Sequence, residues 1–150
     1  MPPGADPFLV GERLEGRYRI ARRIGEGGYA VVHEALAPDG RFVAVKALVR
    51  NAEDIDPVAV ARFRREMKMA AELRHPNIVE VLDWGQSGDG ILYLVMERLE
   101  GHTLLDVMYQ ERFPEASVRH VLKGVLSALD FAHQRGFVHR DVKPSNVFLC

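Results

Sequence analysis

The chain has 150 residues, of which 20 are basic and 21 acidic, for a formal net charge of −1 at pH 7. That balance gives no electrostatic reason to expect nucleic acid or an anionic membrane as partner. Hydrophobic residues make up 47% and charged residues 27%, the make-up of a soluble globular chain long enough for a core of its own. No apolar run approaches the roughly 18 residues of a membrane span. The first residues lack the basic start and apolar centre of a secretory signal, and the one cysteine, Cys150, has no partner within the chain. A cytoplasmic location is the expectation.

Residues 1–10 hold three prolines and a glycine and read as a disordered leader. From Arg17 to Ile24 the alternation puts Tyr18, Ile20 and Arg22 on one face of a first strand. Gly25-Glu26-Gly27-Gly28-Tyr29-Ala30-Val31-Val32 follows. Glycines without Cβ let backbone N–H groups come close to phosphate oxygens, although structural hairpins use glycine too. A dinucleotide-binding fold would start a helix at this point. Instead Ala30 to Ala37 is β-branched and apolar, Pro38-Asp39-Gly40 is a turn, and Arg41 to Leu48 is a returning strand. On that strand Val43 and Val45 face one way, Ala44 and Lys46 the other. Taken alone, a lysine at a strand end is a solvated charge in most proteins.

Asp56 is a candidate helix N-cap and Pro57 suits the first helical position. Ala59, Phe63, Glu66, Ala70 and Leu73 then share a face, so Glu66 is a carboxylate within an apolar stripe. It either flanks the stripe and pairs with an arginine such as Arg62, or it needs a partner inside. Arg74-His75-Pro76-Asn77 ends the helix. His75 has no cysteine or second histidine at ligand spacing nearby and is expected to brace the turn. Ile78 to Trp84 and Ile91 to Arg98 complete a set of five strands with one large helix. Thr103 to Gln110 reads as a short helix, and Glu115 to Arg135 as a longer one with Gly136 at its end.

The last stretch, His139-Arg140-Asp141-Val142-Lys143-Pro144-Ser145-Asn146, packs a carboxylate, two cations and an amide between short apolar segments. Such a loop can place Asp141 to accept a hydroxyl proton, Lys143 beside a transferring phosphoryl group, and Asn146 on a metal ion. It resembles the catalytic loop of protein kinases, His-Arg-Asp with an asparagine five residues after the aspartate. Lys143, two residues after Asp141, resembles the serine/threonine branch. The earlier segments extend the resemblance over about residues 17–149.

The resemblance implies a role for each matching residue. Ile24, Gly25, Glu26, Gly27, Gly28, Tyr29, Ala30 and Val32 would cover the ATP phosphates and base, with Ala30 where the third glycine of the family pattern stands. Lys46 would grip the α- and β-phosphates and be held there by Glu66. Ala44 would lie over the adenine and Phe148, bulkier than the usual leucine, beneath it. Met96 would be the gatekeeper, with Glu97 and Leu99 offering backbone groups to the base. Arg98 stands where the family is often aromatic and supports no functional conclusion. Asn146 would bind Mg2+.

The fold so implied is α+β and protein kinase-like, with a five-stranded antiparallel small lobe carrying one large helix, and the truncated start of a helical large lobe. Residues 11–96 would be the small lobe, 97–101 the hinge, and 102–150 the start of the large lobe, ending just after the catalytic loop. The implied activity is transfer of the ATP γ-phosphoryl group to Ser or Thr of a protein substrate, in a eukaryotic-like bacterial kinase. The Asp-Phe-Gly, activation-loop and Ala-Pro-Glu segments do not occur within the 150 residues. The chain alone is therefore expected to have little or no phosphotransfer activity. The alternative is a non-catalytic nucleotide-binding or kinase-interacting module.

Overall fold

Strands whose every second side chain is apolar can bury one face and leave the other for chemistry, and the register decides which face is which. The computed structural model of the protein describes residues 6–27, 30–48, 57–110 and 114–150. Asp56, Gly28 and Tyr29, the side chain of Ala59 and residues 1–5 of the expected leader lie outside that description. The chain forms two units, Met1–Glu72 with Glu80–Arg98, and Leu73–Val79 with Leu99–Cys150. The segment 73–79, assigned from the sequence to the small lobe, thus belongs to the second unit.

The first unit contains β1 (Arg13–Leu14), β2 (Tyr18–Gly27), β3 (Ala30–Leu36), β4 (Phe42–Leu48), α1 (Pro57–Ala71), β5 (Val81–Gln86) and β6 (Leu92–Glu97). The strands make one antiparallel sheet in the order β1-β2-β3-β4-β6-β5. It has one strand more than the five expected, because the two-residue β1 is too short to leave a periodicity in sequence. His33, Val45 and Val95 lie opposite one another, as do Val31, Ala47 and Tyr93. This face is buried, and Val43, Val45, Ala47, Tyr93 and Val95 join Phe8, Leu14, Tyr18 and Ile20 in the core. The sheet is curled. Tyr18 on β2 donates a 2.8 Å hydrogen bond to Asp83 on β5, although three strands separate them in sheet order. Burial, and then this bond, push the Tyr18 phenol up to about 12.

Residues 6–10 depart from the reading as leader. Phe8 is 1% exposed, edge-on to Tyr93 at 6.2 Å and tilted against His33 at 5.7 Å. The Asp6 carboxylate meets Nε2 of the buried His33 on β3. Burying a phenylalanine side chain contributes about 1.5–3 kcal/mol, enough to hold a short segment that its prolines mark as irregular. Helix α1 packs on β5, with Phe63 buried.

In the second unit, residues 73–79 dock on α3 (Glu115–His133). Asn77 N–H donates to His75 Nδ1 at 3.1 Å, Ile78 N–H to the His75 carbonyl at 3.0 Å, and His75 Nε2 lies 3.0 Å from Ser127 Oγ. The ring also packs against Phe131 at 5.1 Å, so His75 braces the turn as expected. A strand pair follows, β7 (His102–Thr103) with β8 (Phe148–Leu149), and α2 (Leu104–Gln110) starts directly from β7. Thr103 and Asp106 cap α2 reciprocally, each side chain accepting from the other residue's backbone N–H at 3.1 Å.

Gly101 lets this pair form. Its φ is +142°, and a Cβ there would stand 1.9 Å from the Leu149 carbonyl oxygen. Gly40, in the turn before β4, has φ +83° but open space around it. Gly101→Ala is expected to lower the melting temperature much more than Gly40→Ala, which carries only the roughly 1–3 kcal/mol of an alanine at positive φ. Equal shifts in thermal unfolding would show that the Gly101–Leu149 approach is not constrained.

Candidate active site

The face of the sheet opposite the core collects most of the residues singled out on the first unit. Val32, Lys46 and Leu94 lie opposite one another on β3, β4 and β6, and Glu34, Ala44 and Met96 form the next row. Gly25 is opposite Val32, and Gly27 opposite Ala30 at the strand ends. Two residues along β4 separate Ala44 from Lys46, about 7 Å. A methyl-sized side chain and a half-buried ammonium therefore stand side by side on one surface. Ile24 is 40% exposed, and Glu26 pairs with Arg23. Glu97 ends β6, its N–H bonded to the Glu80 carbonyl at 3.0 Å and its Oε1 accepting from Glu80 N–H at 2.8 Å. Leu99 and Phe148 belong to the second unit.

Glu66 does not join this group. Among the described residues it forms no ion pair with Lys46, and its side chain is exposed on α1. Phe63 is the buried residue of α1, and Val60, Met67, Met69, Ala70 and Ala71 are half-buried. At about 100° per residue Glu66 lies some 60° to the side of Phe63, at the rim of the stripe rather than in its middle.

Glu34 completes the same face and was not singled out from the sequence. Its Oε2 accepts from Arg22 Nε at 2.8 Å and its Oε1 lies 2.5 Å from Arg98 Nε. The Glu34 side chain is 9% exposed, Arg98 28% and Arg22 60%. The Arg22 hydrogen bond foremost, and the charges of both arginines, hold its carboxyl below the ordinary glutamate range against the opposing effect of burial. The available signal was the alternation: Glu34 falls two residues after Val32, and Arg98 two after Met96.

In the second unit the loop after α3 draws Asp141, Lys143 and Asn146 together. Lys143 Nζ lies 2.9 Å from Asp141 Oδ2, and Asn146 Nδ2 donates to the same Oδ2 at 3.0 Å and to the Asp141 backbone carbonyl at 2.8 Å. Asp141 N–H donates to His139 Nδ1 at 3.2 Å, and Arg140 takes a left-handed φ of +63° that turns the chain between them. A 3-10 turn over Pro144–Asn146 sets the asparagine, and Leu104 N–H bonds the Val147 carbonyl at 2.7 Å, tying the loop to α2. Hydrogen bonding from Lys143 first, and from Asn146 second, holds the Asp141 carboxyl below its usual range. Both bonds fall on Oδ2, and Oδ1 has no partner among the described residues. The amide nitrogen of Asn146 being used, its Oδ1 is the oxygen available to a hard cation. Among the described residues no group of three His, Cys, Asp or Glu side chains could hold a metal ion by itself.

Residues 18–150 match the protein kinase domain family. This chain belongs to the protein kinases. The kinases it is similar to are bacterial serine/threonine enzymes. It is 39% identical over 148 residues to the serine/threonine-protein kinase pkn3 of Myxococcus xanthus, covering 98% of this chain and 27% of that one. With PrkC of Bacillus subtilis the figures are 41% over 147 residues, 95% and 22%, and with PknA of Mycobacterium tuberculosis 43% over 148 residues, 93% and 34%. The crystal structure of the Mycobacterium tuberculosis PknI kinase domain superposes with a TM-score of 0.83 at 34% identity, over 95% of this chain and 58% of that domain. The chain thus spans 22% to 34% of the length of these curated kinases. The α+β kinase fold and the bacterial serine/threonine type expected from the sequence both hold. No helix among the described residues of this kinase is long and apolar enough to cross a membrane.

Because Lys143 is the larger cause of the depressed Asp141 carboxyl, Lys143→Met is expected to move it upward toward the ordinary aspartate range, and Asn146→Ala to move it less. A carboxylate lowered on folding stabilises above its ordinary value and loses that contribution as pH falls through the lowered one. An NMR titration of the Asp141 carboxyl carbon in the two variants checks the order; a larger rise in Asn146→Ala would contradict it.

Proposed function

We propose that this kinase transfers the γ-phosphoryl group of ATP to the hydroxyl of a Ser or Thr in a protein substrate. The observation that carries the reading is the Asp141 carboxylate, held ionised by Lys143 and Asn146, both on Oδ2, with no partner on Oδ1 among the described residues. In the step proposed, the substrate hydroxyl oxygen attacks the γ-phosphorus and the bond to the β–γ bridging oxygen breaks. ADP leaves, and the hydroxyl proton passes to Asp141 Oδ1. Lys143 offers a positive charge beside the moving phosphoryl group. On the first unit Lys46 would meet the α- and β-phosphates and Ala44 the base, with Val32 beside it and the backbone of Gly25, Gly27 and Ala30 near the phosphates.

Glu66 would meet Lys46 only if α1 turned its rim residue toward β4, and that rotation is part of the proposal. Asn146 Oδ1 is the ligand this chain would offer to Mg2+, which binds through few protein oxygens together with substrate phosphates and waters. When bound, the ion supplies charge neutralisation on the phosphate oxygens.

The test is transfer from γ-labelled ATP to a generic basic protein, by the natural polypeptide that carries these residues. Asp141→Asn and Lys46→Met are each expected to reduce the rate by about 100-fold or more, the scale of a lost general base or a lost charge contact. ATP bound by the wild type without transfer, and with no effect of Asp141→Asn, would leave the binding-module alternative standing.

A further inference from the structure

The ion triad of Arg22, Glu34 and Arg98 lies on the face that carries Ala44 and Met96, at the end away from Lys46. β4 runs between β3 and β6, so the Glu34–Arg98 pair spans it, on the side where Ala44 presents only a methyl group. Arg98 is also the last residue of the first unit. The end of β6 is consequently held from two sides. Glu80, just before β5, binds the Glu97 backbone N–H and side chain, and Glu34 binds Arg98 from β3. A carboxylate as enclosed as Glu34 needs its cations, because removing one partner leaves a poorly solvated charge.

We propose that this triad positions the backbone of residues 96–98 to read the edge of the purine, and so acts as a determinant of adenine over guanine. The two bases reverse their pattern there. Adenine offers an amino donor beside a ring acceptor, guanine a carbonyl acceptor beside a ring donor. Fixed backbone groups discriminate between such patterns only if they cannot shift, since a mobile strand end would adjust to either. Glu34, Arg22 and Arg98 are positioning residues, acting through the strand they anchor. The inference rests on the nucleotide reading of the preceding section.

The experiment measures Kd for Mg·ATP and Mg·GTP by calorimetry on the natural polypeptide. The variants are Arg98→Gln, Glu34→Gln, their double, Arg98→Lys and Lys46→Met. Either glutamine variant is expected to narrow the ATP-to-GTP preference by about fivefold, the scale of a contact coupling, with the double no worse than the singles. Arg98→Lys, which keeps the charge but loses the guanidinium geometry, falls between. Lys46→Met weakens both nucleotides by the same factor. Equal weakening of ATP and GTP in the triad variants, or no change, overturns the inference and leaves nucleotide binding intact. A wild type that binds neither nucleotide overturns both. If Arg98→Gln loses its cooperative melt, Arg98→Lys alone decides: a narrowed preference supports the role and an unchanged one removes it.

Discussion

The pairing of β4 between β3 and β6 is the constraint on which the first unit depends. It puts Val43, Val45 and Ala47 into the core and Ala44 and Lys46 on the opposite surface. A slip of one residue would bury the ammonium of Lys46 beside Tyr93 and turn two valines to water. Hydrogen bonds alone would tolerate that slip; the opposite demands of the two faces do not. Two irregularities in β2, between Ile20 and Arg22 and between Arg23 and Gly25, let this strand bend. Its first half fills the core and its second half brings Gly25 opposite Val32.

The second unit solves a different problem, that of fixing a short irregular loop without burying it. Asp141 is exposed, so desolvation contributes little to its state; contacts from Lys143 and Asn146 set it instead. Position comes from backbone. The left-handed Arg140, the 3-10 turn at Pro144, and the pairing of β8 with β7 leave the loop few alternatives. A non-glycine residue at positive φ is a local strain that surrounding contacts must offset, and it falls beside the Asp141 carboxylate.

Much of this was legible in the sequence, for physical reasons that also mark where legibility stopped. Alternation over five or more residues places Ala44 and Lys46 on one face, and local spacing alone brings Asp141, Lys143 and Asn146 together. Two-residue strands leave no periodicity, so β1, β7 and β8 went unseen. The helical period identifies the apolar stripe of α1, but not which part of it turns inward. That depends on β5, and it is why Glu66 stands at the rim. The Glu34–Arg98 pair joins residues far apart in the chain through strands whose order no local signal states. Phe8 was hidden by the prolines around it.

Phe8 also bears on which residues the first unit needs. The family match starts at residue 18, after β1 and after the Asp6–Phe8 segment. A polypeptide begun there would lack Phe8 and Leu14, leaving part of the core of the first unit unfilled and His33 without its carboxylate. Proteolytic trimming that removes Phe8 would do similar damage without touching a residue that the family model matches. The part of this chain that the family model matches and the part that fills the core of the first unit start at different residues.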